Sequence, residues 1–154
     1  MEKITVRTTS LSELTSAPNF QQLIDLYAEE SALPEIGKPF ADLAMYAAIE
    51  QVGLMSVVCA YQGELLVGFI VLLANRLPHY GQIVATTESF FVHPDYRKGG
   101  TGKLLLGLAD HNARGKGAVA LMVCAPANST LEQVLPLWGL RHTNTVFAKA
   151  LTDG

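Results

Sequence analysis

The chain has 154 residues, 49% of them apolar and 16% charged, with a formal net charge of −3. That length holds one domain with a sizeable core and is short for two, and the composition is globular rather than disordered. The negative balance argues against a nucleic-acid surface, and the longest apolar run, Leu65 to Ala74, falls well short of the ~20 residues that span a bilayer.

Residues 3–9, KITVRTT, alternate and are rich in β-branched side chains, which predicts a strand. The opening MEKITVRTTS lacks the apolar stretch and cleavage site of a secretory signal, so a cytoplasmic protein is expected. Phe20, Leu23, Ile24 and Tyr27 recur at helical spacing, with Asn19 placed to cap and Gln22 three residues on. SALPEIGKPF breaks this helix with two prolines and a glycine. Phe40, Leu43, Ala44 and Ala47 give a second helical stripe, closed by Gly53. MSVVCAY and ELLVGFIVLLA, residues 55–61 and 64–74, read as strands joined by a hairpin turn at Gln62-Gly63.

NRLPHYGQ reads as a loop, and IVATTESFFV, residues 83–92, as a fourth strand. A helix is expected from about Thr101 to Arg114, ended by GKGA. Residues 119–125, VALMVCA, form a fifth strand, apolar throughout and so expected to be buried on both faces. A weaker helix covers residues 129–138, with Pro136 near its end. Residues 143–151, TNTVFAKAL, form a last strand. The order is β-α-α-β-β-β-α-β-α-β, a single mixed α/β domain over residues 1–154. The fourth and fifth strands and the helix between them make a βαβ unit, which predicts parallel neighbours with a right-handed crossover. Cys59 and Cys124 both sit in apolar stretches and are expected to be buried free thiols. His79, His93, His111 and His142 show no ligand spacing, so no metal is expected.

Charge is unevenly divided. Residues 1–64 hold nine acidic and three basic side chains, net −6; residues 65–154 hold five acidic and eight basic, net +3. A basic half suits a polyanionic ligand and an acidic half a cationic one, although solvated faces would look the same.

The segment YRKGGTGKLLL, residues 96–106, decides which polyanion is meant. A Walker ATP loop needs G-x-x-x-x-G-K-[ST]. With Gly102-Lys103 as its G-K pair, the first glycine falls at Arg97, and Leu104 has no hydroxyl for Mg²⁺. The dinucleotide pattern G-x-G-x-x-G is also missing, since the glycines are Gly99, Gly100 and Gly102. What is present is R-x-x-G-x-G, Arg97, Gly100 and Gly102, at the start of a helix. Glycines allow close backbone approach, and the unpaired N–H groups and positive dipole end of a helix hold a pyrophosphate without a metal. Arg97, Lys98 and Lys103 add positive charge.

The segment ESFFVHPDYRKGGTGKLLLGL resembles the signature of the GNAT superfamily of acyl-CoA-dependent N-acyltransferases, whose motif is [QR]-x-x-G-x-[GA] after a V-x-P-x-[YF]-R strand end. Val92, Pro94, Tyr96, Arg97, Gly100 and Gly102 carry the match. GELLVGF, VALMVCAPAN and WGL sit where the family has related segments, so the resemblance covers roughly residues 55–150. It implies a GNAT-like fold in which the fourth and fifth strands splay apart to admit the pantetheine arm of acetyl-CoA. Backbone groups of Phe91 and Val92 would bond that arm. The turn formed by Arg97, Lys98, Gly99, Gly100, Thr101, Gly102 and Lys103 would hold the pyrophosphate, and Asn128 would also touch the cofactor. The acceptor implied is an amine on a small molecule or peptide, with neither nucleic acid nor membrane as partner; family members are often homodimers. Glu29, Glu30, Glu35 and Asp42 flank the loop that lines the acceptor side in this family, which would suit a cationic amine.

Transfer to an amine needs a base, because an ammonium group with pKa near ~10 must lose a proton before it attacks. Glu88 is the candidate. On a regular strand residues 88, 90 and 92 share a face, and four residues span roughly 13 Å, so Glu88 would point with Val92 but lie well back from the phosphates. A carboxylate in an apolar strand is also desolvated, which favours its neutral form and suits a base working near neutrality. The N–H of Val92 is the candidate oxyanion donor. The tyrosine acid frequent in the family is absent, its position being Leu135; Ser129, Tyr80 or a water are the alternatives. The same gap leaves open a non-catalytic acyl-CoA-binding module.

Overall fold

In the computed structural model, which describes residues 2–152, five strands form one sheet. They are β1 (Ile4–Thr9), β2 (Met55–Gln62), β3 (Leu65–Leu77), β4 (Gln82–Val92) and β5 (Ala120–Met122), ordered in space as in sequence. Neighbours pair antiparallel from β1 to β4, and β5 pairs parallel with β4. Helices α1 (Leu11–Thr15), α2 (Phe20–Ser31), α3 (Leu43–Gln51), α4 (Thr101–Gly115) and α5 (Thr130–Val134) complete the framework.

The unbroken apolar runs of β2 and β3 follow from cover on both faces. Val58, Ile70 and Leu72 face one core, closed by Leu105, Leu106 and Ala109 of α4. Val57, Phe69 and Val71 face the other, closed by Leu14 of α1 and Leu23 of α2. Leu23 is 1% exposed, and such burial contributes roughly 1.5–3 kcal/mol. Tyr27 of α2 meets Phe69 and Phe91 edge-on, at ring-centroid distances of 5.7 and 5.8 Å. The early helices therefore lie on the sheet face opposite α4.

Two extra residues interrupt the ladders. Leu66 pairs with Tyr61 and Gly68 with Ala60, so Val67 is a bulge. Thr87 pairs with Leu72 and Ser89 with Val71, so Glu88 is a second one. A bulge shifts side-chain alternation by one and turns the residues after it toward the other face.

Several expectations are corrected. Leu11–Thr15 is a helix that the sequence reading missed; it has five residues, too few for a periodic stripe, and Ser10 caps it by accepting from the Glu13 N–H at 3.0 Å. Asn19 does not cap α2 with its side chain. Its Nδ2 donates to the Leu66 carbonyl at 2.8 Å, and its Oδ1 accepts from the Leu66 N–H at 2.9 Å. That bidentate bond ties the start of α2 to the start of β3. β5 keeps only three of the seven expected residues and is not buried on both faces, since Val119 and Met122 are exposed. Cys124, just beyond it, is exposed too, while Cys59 is buried; both are free thiols. α5 stops at Val134, and Pro136 opens a short 3₁₀ turn over Pro136–Trp138. The last expected strand is absent: residues 143–151 have no regular structure and are exposed.

Replacing Asn19 by Ala removes both bonds to Leu66 and leaves a half-buried N–H and C=O without that partner. The expected loss is about 1–3 kcal/mol of stability, read as a lower urea midpoint with an unchanged slope.

Candidate active site

Pairing of β4 with β5 ends at Thr86 and Met122. Beyond it the Thr87 hydroxyl accepts from the Cys124 N–H at 3.0 Å, in place of a ladder bond. Residues 88–92 then continue along β3 with no strand on their other side among the described residues. The N–H of His93 donates to the Val67 carbonyl at 2.8 Å, which fixes the phase of the antiparallel ladder. In such a ladder alternate residues bond the partner and those between point away. His93 and Phe91 are thus directed at β3, while Phe90 presents its N–H and C=O, and Val92 its N–H, to the open side. This corrects the expectation for Phe91: its side chain packs in the α2 core, and its backbone serves the sheet.

β4 runs into a 3₁₀ turn, Pro94–Gly99, and then into α4. Gly100 joins them at φ +81°, a left-handed conformation that side chains rarely adopt. No side chain caps α4, so the N–H groups of its first turn stay available. Space around Gly99 and Gly100 is open: a Cβ built on either meets nothing within 4 Å. Gly102 differs. A Cβ there would lie 3.3 Å from the Trp138 ring and 3.8 Å from Phe90 and Val92. Its missing side chain lets Trp138 close over the helix start. Thr101 is buried, whereas Lys98 and Lys103 are exposed and make no ion pair among the described residues.

Arg97 is engaged elsewhere. Its Nε donates to the Val92 carbonyl at 2.8 Å, and its Nη2 donates to both Glu30 carboxylate oxygens, at 3.0 and 2.7 Å. The guanidinium also lies 5.3 Å from the centre of the Phe91 ring. Asn128 follows β5 at φ +65°, held by its N–H donating to the Glu132 carboxylate. Glu132 in turn donates its own N–H to Ser129 Oγ at 3.2 Å, the cap of α5.

Glu88 protrudes at its bulge. Phe90 and Val92 pack toward the α4 core, but the Glu88 carboxylate accepts from the Tyr46 hydroxyl of α3 at 3.3 Å. It therefore does not share the face of Val92, because the bulge reverses the alternation on which that expectation rested. It is exposed as well, so the desolvation expected of an apolar strand is missing. Burial first, and then the Glu88 charge, push the Tyr46 phenol well above its ordinary value. Tyr27 is raised mainly by burial, with Glu88 a smaller contributor. Leu135, at the position where the resemblance places a tyrosine, is buried in the α4 core.

The other acidic residues of the acceptor side are mostly committed. Glu29 pairs with Lys38 at 2.5 Å, Glu30 with Arg97, and Asp42 caps α3 by accepting from the Met45 N–H at 3.0 Å. Glu35 has no side-chain partner among the described residues. A cavity of about 610 Å³ lies away from Glu88, between α2 and the start of β3, lined by Gln22, Leu26, Leu65 and Tyr96 among others.

An open strand edge leading to an uncapped, glycine-lined helix start is a site for an extended ligand ending in phosphates. The profile of the acetyltransferase (GNAT) family matches residues 20–134. The chain belongs to the GNAT acetyltransferase family. It is accordingly an acyl-CoA-dependent acetyltransferase with acetyl-CoA as donor, and the open edge and helix start fit that donor's extended arm and pyrophosphate.

Solved structures agree in fold. The aminoglycoside N-acetyltransferase AAC(6')-Iy in complex with CoA superposes with a TM-score of 0.75 at 18% identity, over 99% of this chain and 97% of that one. The ribosomal-protein-alanine N-acetyltransferase of Brucella melitensis biovar Abortus 2308 gives 0.70 at 18%, over 97% and 100%. A transcriptional regulator from Bacillus halodurans C-125 gives 0.73 at 16%, over 97% and 100%. At such identities the likeness is one of fold and assigns no acceptor. No curated protein matches the chain. Among the described residues, no helix is long and apolar enough to cross a membrane.

Tyr46 is the residue that sequence reasoning overlooked. It lies one position outside the Leu43, Ala44, Ala47 stripe, and only tertiary structure brings α3 beside β4. Because the Glu88 charge helps hold the Tyr46 proton on, Glu88→Gln is expected to move phenolate formation at Tyr46 to lower pH. Absorbance titration, with Tyr46→Phe identifying the signal, checks the direction.

Proposed function

We propose that this GNAT protein transfers an acetyl group to a primary amine by direct attack while donor and acceptor are bound together, with Glu88 as the base. The bulge carries the reading. It lifts one carboxylate out of the ladder beside the gap between β4 and β5, on the side of α2 and α3. That two neighbours in fold are N-acetyltransferases by name supports an amine acceptor.

Acetyl-CoA supplies an electrophilic thioester carbonyl and a thiolate leaving group. Residues of the chain do the rest. Glu88 takes the proton of the incoming ammonium, directly or through one water, and frees the nitrogen lone pair for attack. The N–H of Val92, aimed into the gap, donates to the carbonyl oxygen as it gains negative charge. As the carbon–sulfur bond breaks, the departing thiolate takes up the second proton of the attacking nitrogen; with an ordinary thiol pKa of about 8.5 it needs no dedicated acid. Leu135 is consistent with that, and neither Tyr80 nor Ser129 is placed to help. Tyr80 is exposed in the β3–β4 turn beside His79, and Ser129 caps α5. Tyr46 donates to Glu88 and steadies its carboxylate. The first-turn amides of α4, with Gly99, Gly100, Lys98 and Lys103, hold the diphosphate, and Asn128, in the chain that follows β5, contributes a further contact to the donor.

For the acceptor, Glu88 and Glu35 supply negative charge, and Leu33, Ile36 and Phe40 expose apolar surface on the same loop region. A small amine or peptide terminus with an apolar portion suits that mixture. Two free thiols suit a reducing compartment such as the cytoplasm.

Glu88→Gln is expected to lower turnover about 10²- to 10⁴-fold at neutral pH while acetyl-CoA binding stays within a factor of two or so of wild type. Unchanged turnover would remove Glu88 from the mechanism. Tight CoA binding with no thiol release across a broad amine panel would point instead to a binding module.

Thermal shift tests the phosphate site separately. A ligand at a hundredfold its dissociation constant adds about 2.7 kcal/mol, roughly 2–8 °C in a domain of this size class. Acetyl-CoA is expected to give that shift and Mg-ATP none. Gly100→Val, which forces a branched side chain into φ +81°, is expected to diminish it.

A further inference from the structure

The turn after β4 carries a contact that neither donor nor acceptor supplies. Glu30 stands in the last turn of α2, and its carboxylate accepts from Arg97 Nη2 at 3.0 and 2.7 Å. Arg97 Nε donates to the Val92 carbonyl at 2.8 Å, and the Phe91 ring lies 5.3 Å from the guanidinium carbon. A planar guanidinium held at two nitrogens and against a ring keeps little freedom.

The carbonyl it covers matters. Val92 ends β4, and both backbone groups of a residue point the same way from an antiparallel strand. The His93 N–H donates to the Val67 carbonyl at 2.8 Å on the β3 side, so the peptide unit after Val92 is held from both sides. With its carbonyl taken, Val92 has one backbone group left for a ligand, its N–H. A bare carbonyl there would draw water into the gap. Its oxygen would also stand beside the place where the thioester oxygen gains negative charge, opposing the N–H. Arg97 removes both effects. Left alone, however, a guanidinium at the edge of a phosphate site is drawn to the phosphates. Glu30 supplies the competing anion on the far side and keeps the guanidinium on Val92.

We propose that Glu30 is a positioning residue for acetyl transfer: it holds Arg97 on the Val92 carbonyl while the donor is bound, and so leaves the Val92 N–H aligned on the thioester oxygen. Neither side chain touches the reacting atoms. The inference rests on the reading of the Val92 N–H as oxyanion donor and is independent of Glu88. The pair is partly exposed on both sides, so its contribution to stability is small. Tyr96 anchors the same turn separately, its hydroxyl donating to Gln62 Oε1 at 2.9 Å. Variants at Glu30 are therefore expected to fold, with a melting temperature close to that of wild type.

Glu30→Leu and Glu30→Gln test it in the full chain, with acetyl-CoA and the best amine of the panel. Leu is expected to lower kcat about tenfold, part of the roughly 10²- to 10³-fold cost of losing an oxyanion donor, while the dissociation constant of CoA stays within about threefold. Gln keeps an oxygen that accepts from Nη2, so it is expected to restore most of the loss. The loss is the same at every pH, unlike that of Glu88→Gln, which removes a titrating group. Nitrogen NMR of the Arg97 Nε–H, assigned by its loss in Arg97→Lys, reads the contact itself. Slow solvent exchange is expected in wild type with and without CoA, and fast exchange in Glu30→Leu. Slow exchange persisting in Glu30→Leu overturns the proposal at Glu30 and leaves the role of Val92 standing. Fast exchange with unchanged kcat overturns it at Val92. Release of the Nε–H when CoA binds to wild type overturns it too, since Arg97 then serves the diphosphate, as does an equal fall of kcat in both variants, which makes charge rather than position the cause.

Discussion

A single unfinished ladder organises this molecule. β4 is paired with β3 along its length except at the Glu88 bulge, but its partnership with β5 lasts three residues. Backbone N–H and C=O groups are obligatory hydrogen-bonding groups, so a strand left open on one side needs water or an extended partner. What keeps the ladder from continuing is local. Thr87 answers the Cys124 N–H with its side chain, and Glu88 bulges one residue later. Both act where the two strands would otherwise close, and together they convert the centre of a sheet into a slot.

The slot and the helix beyond it are one device. Val92 directs its N–H, and Phe90 both its backbone groups, into the opening, and within ten residues the chain has turned through Gly100 into an uncapped helix. Extended hydrogen bonding at one end and a positive dipole at the other suit a ligand that is amide-rich along its length and anionic at its tip. Glu88 stands at the opposite end of the same strand segment, on the face of α2 and α3. In the proposed mechanism, strand direction separates the reacting end from the anchoring end, and the bulge separates the face of the proposed base from the face of the core.

The architecture was legible in the sequence because it rests on patterns longer than a few residues. The two long apolar strands, their hairpin, the glycine-rich turn and α4 all fall where periodicity and turn chemistry put them. What escaped has short-range or tertiary causes. No pattern in TTESFFV marks Glu88 as the inserted residue, so the expectation that it shares a face with Val92 came from a regular strand that does not exist. Asn19 is indistinguishable in sequence from an ordinary cap; its true partner, Leu66, is 47 residues away. VALMVCA reads as a buried central strand, yet lies at an edge, because hydrophobicity reports how much cover a segment wants and not what supplies it. TNTVFAKAL shows the same limit from the other side: its composition is that of a strand, but a strand also needs a neighbour.

Arg97 shows how a motif residue changes meaning once its surroundings are visible. In the sequence it is the first cation of a phosphate loop. In the structure its guanidinium is bound on three sides, by the Val92 carbonyl, the Glu30 carboxylate and the Phe91 ring. A half-exposed ion pair of this kind contributes little stability, about 0–1 kcal/mol, so its value is geometric. It fastens the turn after β4 to α2, and it does so through the carbonyl of the residue whose N–H points into the slot. In the proposed site, the charge left for a diphosphate then comes from Lys98, Lys103 and the α4 amides. Since the lysines are mobile, exposed point charges and the amides are fixed by the helix, orientation of the ligand falls to the backbone. Conformation at Gly100, rather than the count of cations, therefore governs how well the site is formed.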